Sequence, residues 1–165
     1  QKKTNKYKQM KAIYIRPLEE KDAYVSVNWR NNPKIWKFTG PKPDNVVTID
    51  MELSWIKNVI NRTNEKRFAI CLLEDNQYIG NVQLTDIVEN EAQVHIFIGE
   101  SDFWNLGIGT KATKLILEYG FNTLRLTSIY LYVNKNNTSA IKAYQNNGFK
   151  IVELKDDFIK MITTV

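Results

Sequence analysis

Residues 103–113 read FWNLGIGTKAT, and this stretch decides the fold. Gly107 and Gly109 stand one residue apart. A helical pattern begins directly behind them, with Ala112, Leu115, Ile116 and Tyr119 at positions i, i+3, i+4 and i+7. A helix start leaves backbone N–H groups unpaired and carries partial positive charge, so a phosphate placed there accepts several hydrogen bonds. Glycines keep side chains out of the way and tolerate positive φ. Thr110 adds a hydroxyl, and Lys111 and Lys114 add charge. Alone, such a pair is also compatible with a plain tight turn. It is not a P-loop, because no Gly-Lys-Ser/Thr closes it, and it lacks the third glycine of a dinucleotide fingerprint.

Outward from this stretch the pattern alternates helices and strands. Residues 12–18 read as a strand that Pro17 stops, and residues 19–32 as a helix with acids in its first turn. Residues 33–45, with three prolines and a glycine, read as a long loop. Residues 47–62 read as a helix capped by Thr48, with one apolar face at 49, 53, 56 and 60. Strands follow at 67–74 and 77–87 around an Asp75-Asn76 turn. A third, 91–100, sets Ala92, Val94, Ile96 and Ile98 on one face and Gln93, His95 and Phe97 on the other. Beyond the glycine stretch come a strand at 128–133 and a helix at 137–147 ending at Gly148. A terminal hairpin turns across Lys155, Asp156 and Asp157. Strands and helices in this order predict a mixed α/β (α+β type) sheet of six or seven strands flanked by about four helices.

Composition narrows the class. The chain has 165 residues, 43% apolar and 12% aromatic, enough for one globular domain with a sizeable core. No run reaches membrane-span length, and no apolar stretch of the secretory type opens the chain. Cys71 stands alone, which excludes an internal disulfide and suits a reducing, cytoplasmic setting. The net charge of +5 is concentrated in Lys2, Lys3, Lys6, Lys8 and Lys11. Residues 1–11 therefore read as a basic tail and 12–165 as the domain. Nothing resembles a nucleic-acid module, and no specific nucleic-acid or membrane partner is expected.

A second constellation joins the first. Residues 137–149 read NTSAIKAYQNNGF, with Asn137, Ala140, Tyr144, Gly148 and Phe149 in fixed spacing. Ala140 and Tyr144 share a helix face, so the small residue leaves a slot beside the phenol. WNLGIGT followed by NxxAxxxYxxxGF resembles the GNAT superfamily of acyl-CoA-dependent N-acyltransferases over about residues 12–165. WRNN, IGNVQL and ILEYGFNTL are similar to its branch of ribosomal-protein N-terminal, spermidine and amino-sugar acetyltransferases. The resemblance implies acetyl-CoA as co-substrate, without a metal. Trp104, Asn105, Leu106, Gly107, Ile108, Gly109 and Thr110 would cradle its pyrophosphate, and Phe97, Ile98 and Gly99 would pair with its pantetheine arm. It also implies that Asn137 touches that arm, that Ala140 lies beside it and that Tyr144 faces the sulfur. Trp104 stands where Gln or Arg is common in the superfamily.

Amide formation from a thioester needs a neutral amine, a donor for the oxyanion and a proton for the thiolate. Free alkylamines have a pKa near ~10, so a base or desolvation must supply the neutral form. Tyr144 is the expected acid, and a backbone N–H near Ile98 the expected oxyanion donor. Gln93 occupies the position where many relatives carry a glutamate, and an amide takes no proton. His95, two residues on, and Glu100 are the candidate bases; water alone is the remaining option. Trp29, Arg30, Asn31, Trp36, Phe38 and Gln93 are the candidate acceptor-side residues. The expected reaction is acetyl transfer to a primary amine of a small molecule, with an amino sugar or nucleotide-linked amino sugar favoured, by a monomer or homodimer. A protein N-terminus or a polyamine is the alternative within this chemistry. A non-catalytic acyl-CoA-binding regulatory domain is the alternative outside it, and binding of nucleic acid through the tail is a further one.

Overall fold

A computed structural model describes residues 11–36 and 45–165 of the chain. Residues 1–10 of the basic tail and Phe38 lie outside the described residues. The first strand, β1, is Ile13–Pro17. A 3-10 turn at Glu20–Asp22 leads into α1, Ala23–Arg30. The Arg16 guanidinium donates twice to the Asp22 carboxylate, at 2.8 Å each, and so fixes strand to helix. The expected loop from residue 33 begins instead as a helical turn, α2, Pro33–Trp36. Proline is pre-organised for a first helical position, and Asn32 Oδ1 accepts from the Lys34 N–H at 3.0 Å. Next comes α3, Ile49–Ile60, capped by Thr48 Oγ1, which accepts from the Met51 N–H at 3.2 Å as the sequence predicts.

Strands β2 (Lys66–Leu72), β3 (Tyr78–Val88) and β4 (Glu91–Ile98) form an antiparallel meander. The β2–β3 turn is longer than the expected two residues. The Leu72 N–H closes it on the Gln77 carbonyl at 2.9 Å, and Asn76 adopts φ +62°. After α4, Ile108–Glu118, come β5 (Ser128–Asn134), α5 (Thr138–Asn146), β6 (Lys150–Lys155) and β7 (Phe158–Thr164). All seven strands join one sheet in the order β1-β2-β3-β4-β5-β7-β6. Every pairing is antiparallel except β4 with β5, the pair that the α4 crossover connects.

Strand alternation divides the core in two. On one face, Val82, Leu84, Ala92, Val94, Leu131 and Met161 pack with Ile108, Ala112 and Ile116 of α4; Ala140, Ile141 and Tyr144 of α5 pack against them. On the other face, Ala69, Cys71, Tyr78 and Phe97 pack with Trp29 of α1 and Ile56 of α3. This second cluster draws its strand residues from β1–β4 and none from β5–β7. Helices α1 and α3 are joined by a buried acid. Glu52 accepts from Ser26 Oγ at 2.9 Å and lies 3.3 Å from Arg30 Nε. A buried carboxylate is stable only with such partners, and removing one typically costs about 3–5 kcal/mol.

Trp29 is a core residue, 5% exposed, and not part of an open acceptor surface. Its indole lies against the backbone of Gly99, where any Cβ would overlap the ring. Gly99→Ala is therefore expected to cost about 1–3 kcal/mol by overpacking. Thermal unfolding should show the midpoint lowered by roughly 2–10 °C.

Candidate active site

The parallel pairing of β4 and β5 is short. It holds at Glu91↔Ser128, Ala92↔Ile129 and Gln93↔Tyr130, and then stops. Strand β4 continues to Ile98 along β3, and β5 continues to Asn134 along β7. The two strands therefore diverge beyond Gln93 and Tyr130. Because the Gly99 N–H bonds toward β3, to the Ile79 carbonyl at 2.8 Å, alternation turns the backbone groups of Ile96 and Ile98 toward the gap. Trp104 Nε1 donates to the Ile98 carbonyl at 2.8 Å, so this side chain latches the end of β4.

The glycine stretch sits at the mouth of this gap. Asn105 and Gly107 both take left-handed conformations, φ +59° and +77°, and Gly107 is the N-cap of α4. No side chain caps that helix. The first intrahelical bond recorded here runs from the Lys111 N–H to the Gly107 carbonyl at 3.2 Å, so the earlier N–H groups have no acceptor within the helix. A Cβ built on Gly107 or Gly109 would meet nothing within 4 Å. Internal packing thus does not require these glycines, and the space they leave fits a diphosphate gripped by main-chain donors. Asn147 Nδ2 donates to the Thr110 carbonyl at 3.2 Å and ties α5 to this helix start.

Tyr144 lies on α5, with its ring 5.7 Å from that of Phe149. It packs in the cluster that holds Ile96 and Ile98 of β4 and Val133 of β5, the strands that border the gap. Burial raises its phenol above the ordinary 10.0, so it is protonated throughout the neutral range. Asn137 caps α5, its Oδ1 accepting from the Ala140 N–H at 3.3 Å.

His95 and Gln93 are on the opposite face. His95 Nε2 lies 3.2 Å from Thr85 Oγ1. Although its edge reaches solvent, partial desolvation pulls the imidazole below its ordinary 6.5. The Arg67 charge adds to this, against a weaker opposite pull from Asp86 and Glu65. The imidazole is thus neutral near pH 7 and can accept a proton. Glu100 is engaged by Trp29 Nε1, which donates to its Oε1 at 2.9 Å.

Three acceptor-side expectations are revised. Trp29 is buried, as above. Arg30 holds an internal carboxylate, Glu52, with its guanidinium 4.4 Å over the Trp55 ring. Asn31 is a clasp: Nδ2 donates to the Val47 carbonyl and Oδ1 accepts from the Val47 N–H, both at 2.8 Å. Trp36 ends α2 half-buried. The structure adds Gln83, Thr85 and Tyr130. They share a face with Gln93 and His95 through the pairings Gln83↔His95, Thr85↔Gln93 and Gln93↔Tyr130. Alternation in 128–133 marks Tyr130 and Tyr132 as facing away from Ile129, Leu131 and Val133, but only strand pairing brings them beside Gln93.

Gly109→Ala separates folding from ligand binding. Alanine in a helix gains about 0.5–1 kcal/mol over glycine, and nothing obstructs its Cβ. The thermal midpoint should hold or rise, while calorimetric titration should show coenzyme A binding weakened roughly tenfold or more, the equivalent of one charge-assisted hydrogen bond.

Residues 12–150 match the family of the acetyltransferase (GNAT) domain. The chain is 32% identical over 152 residues to spermidine N(1)-acetyltransferase of Escherichia coli K12, covering 89% of this chain and 78% of that protein. It is 27% identical over 142 residues to acetyltransferase PseH of Campylobacter jejuni, covering 86% and 85%. In fold it resembles the spermidine N-acetyltransferase of Vibrio cholerae in complex with CoA and spermine. There the TM-score is 0.80 at 24% identity, over 92% of this chain and 95% of that one. With its profile, its split sheet and its glycine-opened helix in agreement, the chain belongs to the GNAT acetyltransferase family.

Proposed function

We propose that this GNAT acetyltransferase acetylates the amino group of an amino sugar. The observation that carries the choice of acceptor is the chemistry of the sheet face beside the gap. Gln83, Thr85, Gln93, His95 and Tyr130 offer amide, hydroxyl, imidazole and phenol groups there. Such neutral donors and acceptors suit a polyhydroxylated ring. A polyamine calls for free carboxylates instead. Near this face, Glu52 and Glu65 are already paired, Glu52 with Arg30 and Glu65 with Arg62 and Arg67, which leaves Asp86 and Glu91 as the nearby acids without an ion pair among the described residues. The likeness to spermidine acetyltransferases keeps a polyamine as the second reading.

Coenzyme A supplies the acetyl group as a thioester when bound. The N–H groups at the start of α4 hold its diphosphate, and the backbone edge of β4 at Ile96 and Ile98 aligns its arm. His95, neutral at working pH, accepts a proton from the acceptor ammonium directly or through water, which leaves the lone pair that attacks. The new C–N bond replaces the C–S bond; as the latter breaks, Tyr144 donates its phenolic proton to the departing sulfur, and the proton that the new amide nitrogen sheds returns to the phenolate through water. The apolar packing that partly buries Tyr144 raises its phenol and so keeps that proton in place until the sulfur departs. Acid and base thus work from opposite faces of one sheet.

The test is an assay of free thiol release with acetyl-CoA and a panel of glucosamine, spermidine and short peptides. Turnover of amino sugars, with kcat lowered about 100-fold or more in Tyr144→Phe at undiminished coenzyme A affinity, is expected. Turnover confined to spermidine or to peptides would reject the reading. The pH profile checks the base. Protonated His95 cannot accept a proton, so kcat/KM should fall as pH drops through a value below 6.5, and His95→Gln should abolish that acidic limb.

A further inference from the structure

A neutral imidazole accepts a proton only at the ring nitrogen that carries no hydrogen. In His95 the two nitrogens are not equivalent. Nε2 lies 3.2 Å from Thr85 Oγ1, whereas Nδ1 has no hydrogen-bond partner among the described residues. The contact to Thr85 runs diagonally across the β3–β4 ladder, where Thr85 stands opposite Gln93 and His95 opposite Gln83. Thr85 is 8% exposed, so its hydroxyl is committed to neighbouring side chains and not to bulk water.

Which ring nitrogen holds the hydrogen depends on where the Thr85 hydroxyl sends its own. That hydroxyl has one proton to donate. Donated to Nε2, it would force the ring hydrogen onto Nδ1 and leave no lone pair on the free side. Asp86 offers the alternative, because its Oδ2 lies 3.5 Å from Thr85 Oγ1. The contact is long, but an ionised carboxylate only accepts, and its charge makes it a better acceptor than a neutral imidazole. Consecutive residues of a regular strand point to opposite faces. Asp86 reaches Thr85 because its backbone takes φ +51°, at the irregularity that interrupts the β3–β4 register between Thr85 and Val88. Aspartate tolerates that conformation, and irregularities of this kind re-aim side chains. Donation therefore runs one way, from Nε2–H to Thr85 and from Thr85 to Asp86.

We propose that Thr85, oriented by Asp86, is a positioning residue that holds the neutral His95 ring as its Nε2–H tautomer and so makes Nδ1 the nitrogen that takes the acceptor's proton. This rests on His95 being the base and deepens that reading. When Nδ1 takes a proton from the ammonium, the amine lone pair is freed and the imidazolium keeps its other hydrogen on Nε2, against Thr85. Nδ1 later passes its proton to water, which restores the same tautomer. Besides partial desolvation, the groups that act on the ring charge are Arg67 of β2, which opposes the imidazolium, and Asp86 and Glu65, which favour it.

His95 is the one histidine of the chain, so nitrogen-15 NMR of its ring reports the tautomer directly. At a pH above the ring's titration, Nδ1 should show as a bare nitrogen and Nε2 as N–H. Thr85→Val, of nearly the same shape, should give a mixture of both tautomers. It should lower kcat about fivefold to tenfold, the equivalent of one hydrogen bond, at unchanged KM for acetyl-CoA. Thr85→Ser should restore both tautomer and rate. Asp86→Asn, which tolerates the same backbone, should admit part of the Nδ1–H form. Amide spectra that match the wild type check that each variant is folded. A wild-type ring with its hydrogen on Nδ1, or a Thr85→Val ring like that of the wild type, overturns the inference. An acidic limb that still vanishes in His95→Gln then leaves the base reading standing. A tautomer that changes in Thr85→Val without any change in rate rejects His95 as the base, and the inference with it. An unchanged ring in Asp86→Asn removes Asp86 from the proposal.

Discussion

The site depends on a pairing that ends early. Strands β4 and β5 share a parallel ladder only as far as Gln93 and Tyr130, and each then follows a different neighbour. In a closed sheet those backbone groups would satisfy one another. Here the N–H and C=O of Ile96 and the N–H of Ile98 face a gap that an extended ligand can enter as another strand would, while Trp104 holds the Ile98 carbonyl. The gap also makes the two faces of the sheet accessible to each other. The proposed acid and base, Tyr144 and His95, lie on opposite faces of this sheet.

The surrounding side chains hold that geometry at the end of β4. Trp104 takes the Ile98 carbonyl, Trp29 lies on the Gly99 backbone, and Glu100 receives the Trp29 indole N–H. These contacts fix the end of the strand just before the chain turns into the start of α4. The uncapped start of α4 is thereby held beside the gap. Asn147 adds the tie from α5 to the Thr110 carbonyl, so the helix that carries Tyr144 is referenced to the same helix start. Rigid elements, and not a mobile loop, position the chemistry, which is what acyl transfer by proximity requires.

Much of this could be read from residue order. Gly107 and Gly109 before an amphipathic run marked the helix start. Thr48 marked a cap, and the alternation in 91–98 separated core from site. The acceptor side was harder to read. Arg30 stood among the acceptor-side candidates, yet a buried glutamate on another helix claims it. Trp29 stood among them too, yet it fills the space above a glycine 70 residues away in the chain. Asn31 looked like a ligand contact and proved to be the clasp on Val47. Each revision came from a partner distant in sequence.

The sequence by itself determined most of the elements, the glycine-opened start of α4 and the helix bearing Tyr144, since these follow from local rules of backbone conformation, periodicity and capping. Only the tertiary structure decided which face His95 shares and where β4 parts from β5. Those properties depend on strand register and on long-range packing. A register is the sum of many weak contacts across the sheet, and no short stretch of chain encodes it.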